Sequence, residues 1–168
     1  SSDVCSSDLL REKAEPALAA LLQALLLLNL AAASVSIASA RSVTSSYRMT
    51  NKPSPTGPSF YVARVLYAYE SFDKRFGELM AVDGERYAAW KQQLVAEVCS
   101  LFRANVEDIL RTIARMEEVL SKHRKRNAGA AATEGVDSTD EEKMKHQLLL
   151  DVTALKSHIT ELGLAVPE

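Results

Sequence analysis

Residues 17–40 read ALAALLQALLLLNLAAASVSIASA, a run without a single charge. A helix that is apolar on every side belongs in the centre of a protein or across a bilayer, and about 20 such residues suffice to span one. Length alone therefore fits both. Gln23, Asn29, Ser34, Ser36 and Ser39 interrupt the run, alanine inserts only marginally, and neither end carries an aromatic belt. The sequence predicts a central buried helix over about 10–47, with a membrane span at 17–40 as the alternative.

Upstream lies SSDVCSSDLL, residues 1–10. A secretory signal starts with Met and a basic region, and neither is here. Residues 1–9 back-translate as AGT TCA GAC GTG TGC TCT TCC GAT CTN, which is similar to a common short-read sequencing adapter read in frame. They are read as an assembly scar, expected to be disordered, and Cys5 is set aside with them. On this reading the natural N-terminus is missing and the chain is a fragment.

Downstream, MTNKPSPTGPS (residues 49–59) carries Pro53, Pro55 and Pro58, which forbid helix and favour extended or turn backbone. A second helix is expected over about 60–81, with Ser59 as its N-cap. Its apolar residues Val62, Val65, Tyr69, Phe72, Phe76 and Leu79 recur at alternating steps of three and four, a single stripe. After a weak break at Gly84, a third helix is expected over about 85–126, on the order of 60 Å long. Its seam runs from Trp90 through Leu94, Val98, Phe102, Val106, Ile109, Ile113 and Met116 to Leu120. NAGAAATEGVDS (127–138) reads as a flexible loop. A fourth helix is expected over about 139–162. Thr139 and Glu142 make a capping box, and the stripe is Met144, Leu148, Val152, Leu155, Ile159 and Leu162. Gly163 is its stop, followed by Leu164 in the Schellman position.

The composition agrees with an all-α chain: 47% apolar, with only 6 Gly and 5 Pro in 168 residues. The fold class expected is an elongated antiparallel four-helix bundle forming one domain over 10–168. A formal net charge of −2 supplies no global field for nucleic acid, and no nucleic-acid partner is expected. One cysteine outside the scar, Cys99, leaves no internal disulfide; it sits beside the third-helix seam as a small packed side chain.

Catalytic chemistry needs a constellation, and none is legible. His123, His146 and His158 have no Glu three residues before them, the cysteines make no zinc knuckle, and the glycines form no phosphate cradle. No enzyme activity, cofactor or metal is expected. Two features remain as a candidate partner surface. Tyr47 and Arg48 stand at the exit of the first helix, where a structured loop is a usual place for function. Lys122, Arg124, Lys125 and Arg126 end the third helix. They complement its dipole, and the alternative is a contact for acidic headgroups or an acidic partner.

VTSSYRMTNKPSPTGPSFYV, VEDILRTIARMEEVLSKHRK and DEEKMKHQLLLDVTALKSHITELGL together resemble the C-terminal region of subunit 2 of the conserved oligomeric Golgi complex. The resemblance spans roughly residues 42–164, and YRMTNK…P…S.YV with QL.LDV…I..LGL are its specific parts. It implies a non-catalytic subunit, peripheral on the cytosolic face of the Golgi membrane, that tethers vesicles in intra-Golgi retrograde transport. It also implies helical rods built from antiparallel bundles. The partners implied are sister subunits, SNAREs or other Golgi trafficking proteins, and the Golgi membrane surface.

Overall fold

The computed structural model describes residues 2–127 and 139–168; the loop expected at 127–138 lies almost wholly outside the described residues, as do the side chains of residues 2–5. The described residues are all-helical, with no strand. The helices are α1 (Ser2–Ser45), α2 (Tyr67–Met80), α3 (Gly84–Arg126) and α4 (Asp140–Glu161), with short 3-10 turns at Val62–Arg64 and Ala81–Asp83.

α1 begins earlier than expected. Residues 2–9 continue the helix although disorder was expected for them, because extending a formed helix fixes only one residue per added hydrogen bond. Residues 6–10 are exposed. Pro16 lies inside α1, and the carbonyl that loses its helical donor is that of the exposed Glu12.

α1 packs mainly on α3, and the two run parallel. Arg86 Nη1 donates to Glu15 O (3.2 Å), Trp90 Nε1 to Leu22 O (2.8 Å) and Asn105 Nδ2 to Ile37 O (3.5 Å), and Arg41 pairs with Asp108. In an antiparallel bundle successive helices alternate in direction, so the first and third share one, as these two do. They are parallel because the leg between them returns the chain to its starting end without a third long helix. That leg is residues 46–66, largely non-helical, followed by α2. The helix expected at 60–81 thus splits. Tyr61, Val62, Val65 and Leu66 are all buried, and the ladder breaks at Leu66 (φ −106°, ψ 10°) before α2 begins. Tyr69, Phe72, Tyr87 and Trp90 then join α2 to α3 in an aromatic cluster, with Tyr87 and Trp90 stacked at 5.7 Å. α4 runs antiparallel to α3, as Lys145–Glu117 (2.6 Å) at one end and Gln92 with Ala165 at the other require.

The helix that carries the uncharged run 17–40 is not the most buried one. It buries a single stripe that includes Leu22, Leu26, Ala33, Ile37, Ala40 and Thr44, and only 22% of its most apolar window is covered. Leu21, Leu27, Leu28 and Val35 are exposed at 51, 60, 67 and 75%. Complete burial needs partners all round, and α3, α4 and the 62–66 segment occupy one side. By length and composition α1 could cross a membrane. While it lies on α3 it cannot, because the α3 residues along it include Arg86, Asn105 and Asp108, which are costly in hydrocarbon.

The other stripes fray toward their ends. Phe76, Leu79 and Leu120, expected in the core, are exposed. In α4, Asp151 takes the buried position and Val152 is half-buried.

The caps of α4 are formed in full. Thr139 Oγ1 accepts from Glu142 N (3.2 Å), and Glu142 Oε2 accepts from Thr139 N (3.1 Å). Gly163 has φ +73°, with Leu164 N donating to Ile159 O and Gly163 N to Thr160 O. Thr139→Ala is expected to cost about 1 kcal/mol. Gly163→Val is expected to cost about 1–2 kcal/mol through backbone strain alone, since a Cβ there meets no atom within 4 Å. Urea melts of both variants check this; parent-like midpoints for both would contradict the cap geometry.

Candidate functional site

The segments around residues 47–61 and 140–151 are far apart in sequence and meet at one end of the molecule. Asp151 is fully buried on α4. Its Oδ1 accepts from Ser59 N (2.6 Å) and Gln147 Nε2 (2.9 Å); its Oδ2 accepts from Ser59 Oγ (2.8 Å) and Tyr61 Oη (2.7 Å). All four partners are neutral donors. The carboxylate thus replaces its hydration shell with fixed N–H and O–H dipoles, two on each oxygen. Gln147, one turn earlier, also donates to Gly57 O (3.0 Å) and accepts from Tyr47 Oη (2.7 Å). One face of α4 therefore clamps both the end of α1 and the proline loop. Ser59, expected as an N-cap, spends its hydroxyl on Asp151 instead.

The loop is tied on its outer side as well. Met49 N donates to Asp140 Oδ2 (3.0 Å), and Lys143 Nζ donates to Lys52 O (3.0 Å). Met49 and Asn51 both have positive φ (54° and 49°), a conformation L residues rarely adopt. The turn holds the Met49 side chain out at 98% exposure.

The expected surface residues divide. Tyr47 is buried in the clamp, with Lys52 Nζ 4.7 Å over its ring. Arg48 is half-buried beside it. Lys122, Arg124, Lys125 and Arg126 are exposed, with Lys122 paired to Glu118 (2.7 Å). Arg124 and Lys125 line a broad groove with Glu117, Glu141, Glu142 and Lys145, where the basic end of α3 lies beside the acidic start of α4. Asp140 belongs to that start and also holds Met49, so Arg48 and the basic run share one end of the molecule.

Sequence reasoning missed Asp151, Gln147 and His158. The signal for Asp151 was present: Met144, Leu148, Asp151 and Leu155 are spaced 4, 3 and 4, so a carboxylate stands on the seam. His158 Nε2 lies 3.0 Å from Glu70 Oε1 and ties α4 to α2. Cys99 is half-buried. Burial pushes its thiol up, against the pull of Arg103 and Lys156. It borders a cavity of about 200 Å³ that the tail residues Val166 and Pro167 also line. Among the described residues no group of three or more His, Cys, Asp or Glu is arranged to hold a metal.

The tyrosines give the fold a pH signature. Burial, reinforced by neighbouring carboxylates, raises the phenols of Tyr47, Tyr61 and Tyr87 above the ordinary 10.0, and Tyr69 is pushed up to about 12. A phenol held protonated in the fold stabilises it fully below the unfolded value and loses that contribution as pH rises. Stability should therefore hold to about pH 10 and then fall, by up to about 1.4 kcal/mol per pH unit for each tyrosine. Urea melts across this range test it; a flat profile to pH 12 would refute the burial of these hydroxyls.

The described residues form an all-helical module. Its buried polar centre shapes a loop, and the groove between the end of α3 and the start of α4 is mixed in charge. A family model described as "COG complex component, COG2, C-terminal" matches residues 10–152. The chain belongs to this family, the C-terminal region of subunit 2 of the conserved oligomeric Golgi complex. It is 28% identical over 121 residues to conserved oligomeric Golgi complex subunit 2 of Dictyostelium discoideum, which covers 71% of this chain and 13% of that protein. The subunits 2 of Drosophila melanogaster and Homo sapiens are each 30% identical over 129 residues, covering 70% and 75% of this chain and 17% of each relative. The chain thus spans less than a fifth of the length of these curated relatives. No solved structure matches it.

Proposed function

We propose that this chain is the helical C-terminal part of a non-catalytic subunit of the Golgi tethering complex. In this reading it serves vesicle tethering in intra-Golgi retrograde transport and Golgi organisation, from the cytosolic face of the Golgi membrane. It works as an elongated antiparallel helical rod, through contacts with sister subunits and with SNAREs or other Golgi trafficking proteins. The observation that carries the reading is the family match, whose matched stretch includes the Tyr47–Gln147–Asp151 clamp. The clamp fixes the exposed Met49 turn beside the basic end of α3, and that end is the proposed partner surface. Many weak contacts within one assembly then add through effective concentration.

A pull-down from Golgi extract tests this, using the parent chain and a variant with Lys122, Arg124, Lys125 and Arg126 reversed in charge. Circular dichroism is the folding control. The parent should capture subunits of the complex, and the variant should lose them with unchanged helicity. Full recovery by the folded variant would remove the basic run from the partner surface and leave it as a dipole complement.

The second reading is a membrane-anchored protein with a span at 17–40, favoured by the length of α1 and its exposed outer face. It requires α1 to leave α3 and expose Trp90. Detergent-free solubility of a chain starting at Leu10 would count against it.

A further inference from the structure

The exposed side of α1 has a regular pattern of its own. Leu21, Ala24, Leu28, Ala31, Val35 and Ala38 are all exposed and recur at steps of 3, 4, 3, 4 and 3. This is a second heptad seam, about half a turn round the helix from the stripe that packs on α3. No charged residue falls on it. Large and small side chains alternate along it strictly.

That alternation favours one kind of occupant. If a second copy of α1 lies antiparallel with paired residue numbers summing to 59, Leu21 meets Ala38, Ala24 meets Val35 and Leu28 meets Ala31. The two-fold axis repeats each pair in reverse. Every layer then sets one large side chain against one small one, which is how facing helix positions interdigitate without voids. A parallel in-register pair would set Leu28 on Leu28 and Ala31 on Ala31, alternating crowded layers with cavities. The same register overlaps α1 with itself from residue 14 to residue 45, the C-terminal end of the helix. A strip about 45 Å long and about 11 Å wide on each copy amounts to roughly 1,000 Å² in all, the size at which a specific interface begins.

We propose that the outer face of α1 is a self-association surface, pairing two copies of this chain antiparallel about a two-fold axis between residues 28 and 31. The contact is isologous, so it closes at two copies. It would join two rods back to back, with the clamp ends pointing in opposite directions.

Sedimentation equilibrium of the full chain across the micromolar range tests this, with circular dichroism for folding. The parent should be a dimer. Leu28→Glu, at an exposed position, should be a folded monomer. Ala31→Leu should weaken the dimer by roughly tenfold or more, because Leu28 then meets leucine. The swap Leu28→Ala/Ala31→Leu should restore association to near the parent value, since residues 28 and 31 are each other's partners in this register. A parent that stays monomeric overturns the proposal, including one that instead binds anionic vesicles through the same leucines. So does an Ala31→Leu variant that associates more tightly, as non-specific apolar contact would. None of these readouts depends on a Golgi protein.

Discussion

Asp151→Ala is expected to destabilise the fold by about 4 kcal/mol. The substitution leaves the N–H and hydroxyl of Ser59, the hydroxyl of Tyr61 and one amide hydrogen of Gln147 without their acceptor. A buried donor left unpaired costs about 1–3 kcal/mol, and the loss is partly relieved as the proline loop lifts toward solvent. Set against a typical domain stability of about 5–15 kcal/mol, this removes a large fraction. The loop should respond before the helices do. Proteolysis between residues 49 and 59 should speed up at denaturant concentrations where the far-ultraviolet signal is still native. Asp151→Asn should be milder, because it keeps one acceptor oxygen and hydroxyls can rotate to accept from its amide. Urea melts decide the point: an alanine variant within about 0.5 kcal/mol of the parent would show that the four donors find other partners and that the clamp is not a stability element.

Ile109→Asp is expected to unfold the helical body at neutral pH. Ile109 is buried on α3, close to where Asn105 and Asp108 hold α1. A carboxylate there has no partner and cannot reach water without parting α1 from α3, which places the change in the class above about 4 kcal/mol. Ile109→Val is the control for packing alone, at about 0.5–1.5 kcal/mol. Ala114→Asp, exposed on the same helix, is the control for charge alone and should melt near the parent. If Ile109→Asp melts with Ala114→Asp, the α1–α3 interface is not the core of this protein.

Much of the helical content was legible because its signals act over five residues or fewer. Thr139 with Glu142, and Gly163 with Leu164, cap α4 through bonds that reach no further than one turn and a half. The α3 seam from Trp90 to Ile113 is legible for the same reason: a 3–4 step selects one face of a helix whatever covers it. The prolines of residues 53–58 exclude helix by their own covalent geometry. The family, too, is legible in the linear order of these stretches.

The spacing of Met144, Leu148, Asp151 and Leu155 puts a carboxylate on the α4 seam, but nothing local says what it binds, and Val152 offers an apolar alternative beside it. Only the arrival of Ser59 and Tyr61 from far along the chain makes a buried carboxylate stable there. Nor does the sequence choose which side of α1 is buried. A run apolar all round has no preferred face, so its orientation is fixed by what the partner offers: the indole N–H of Trp90 aimed at Leu22 O, and Asp108 aimed at Arg41. Local propensity places helices in the sequence, but their direction and contacts follow from how a non-helical stretch, residues 46–66, is held, and what holds it is a set of hydrogen bonds to α4 that exist only once the chain has folded.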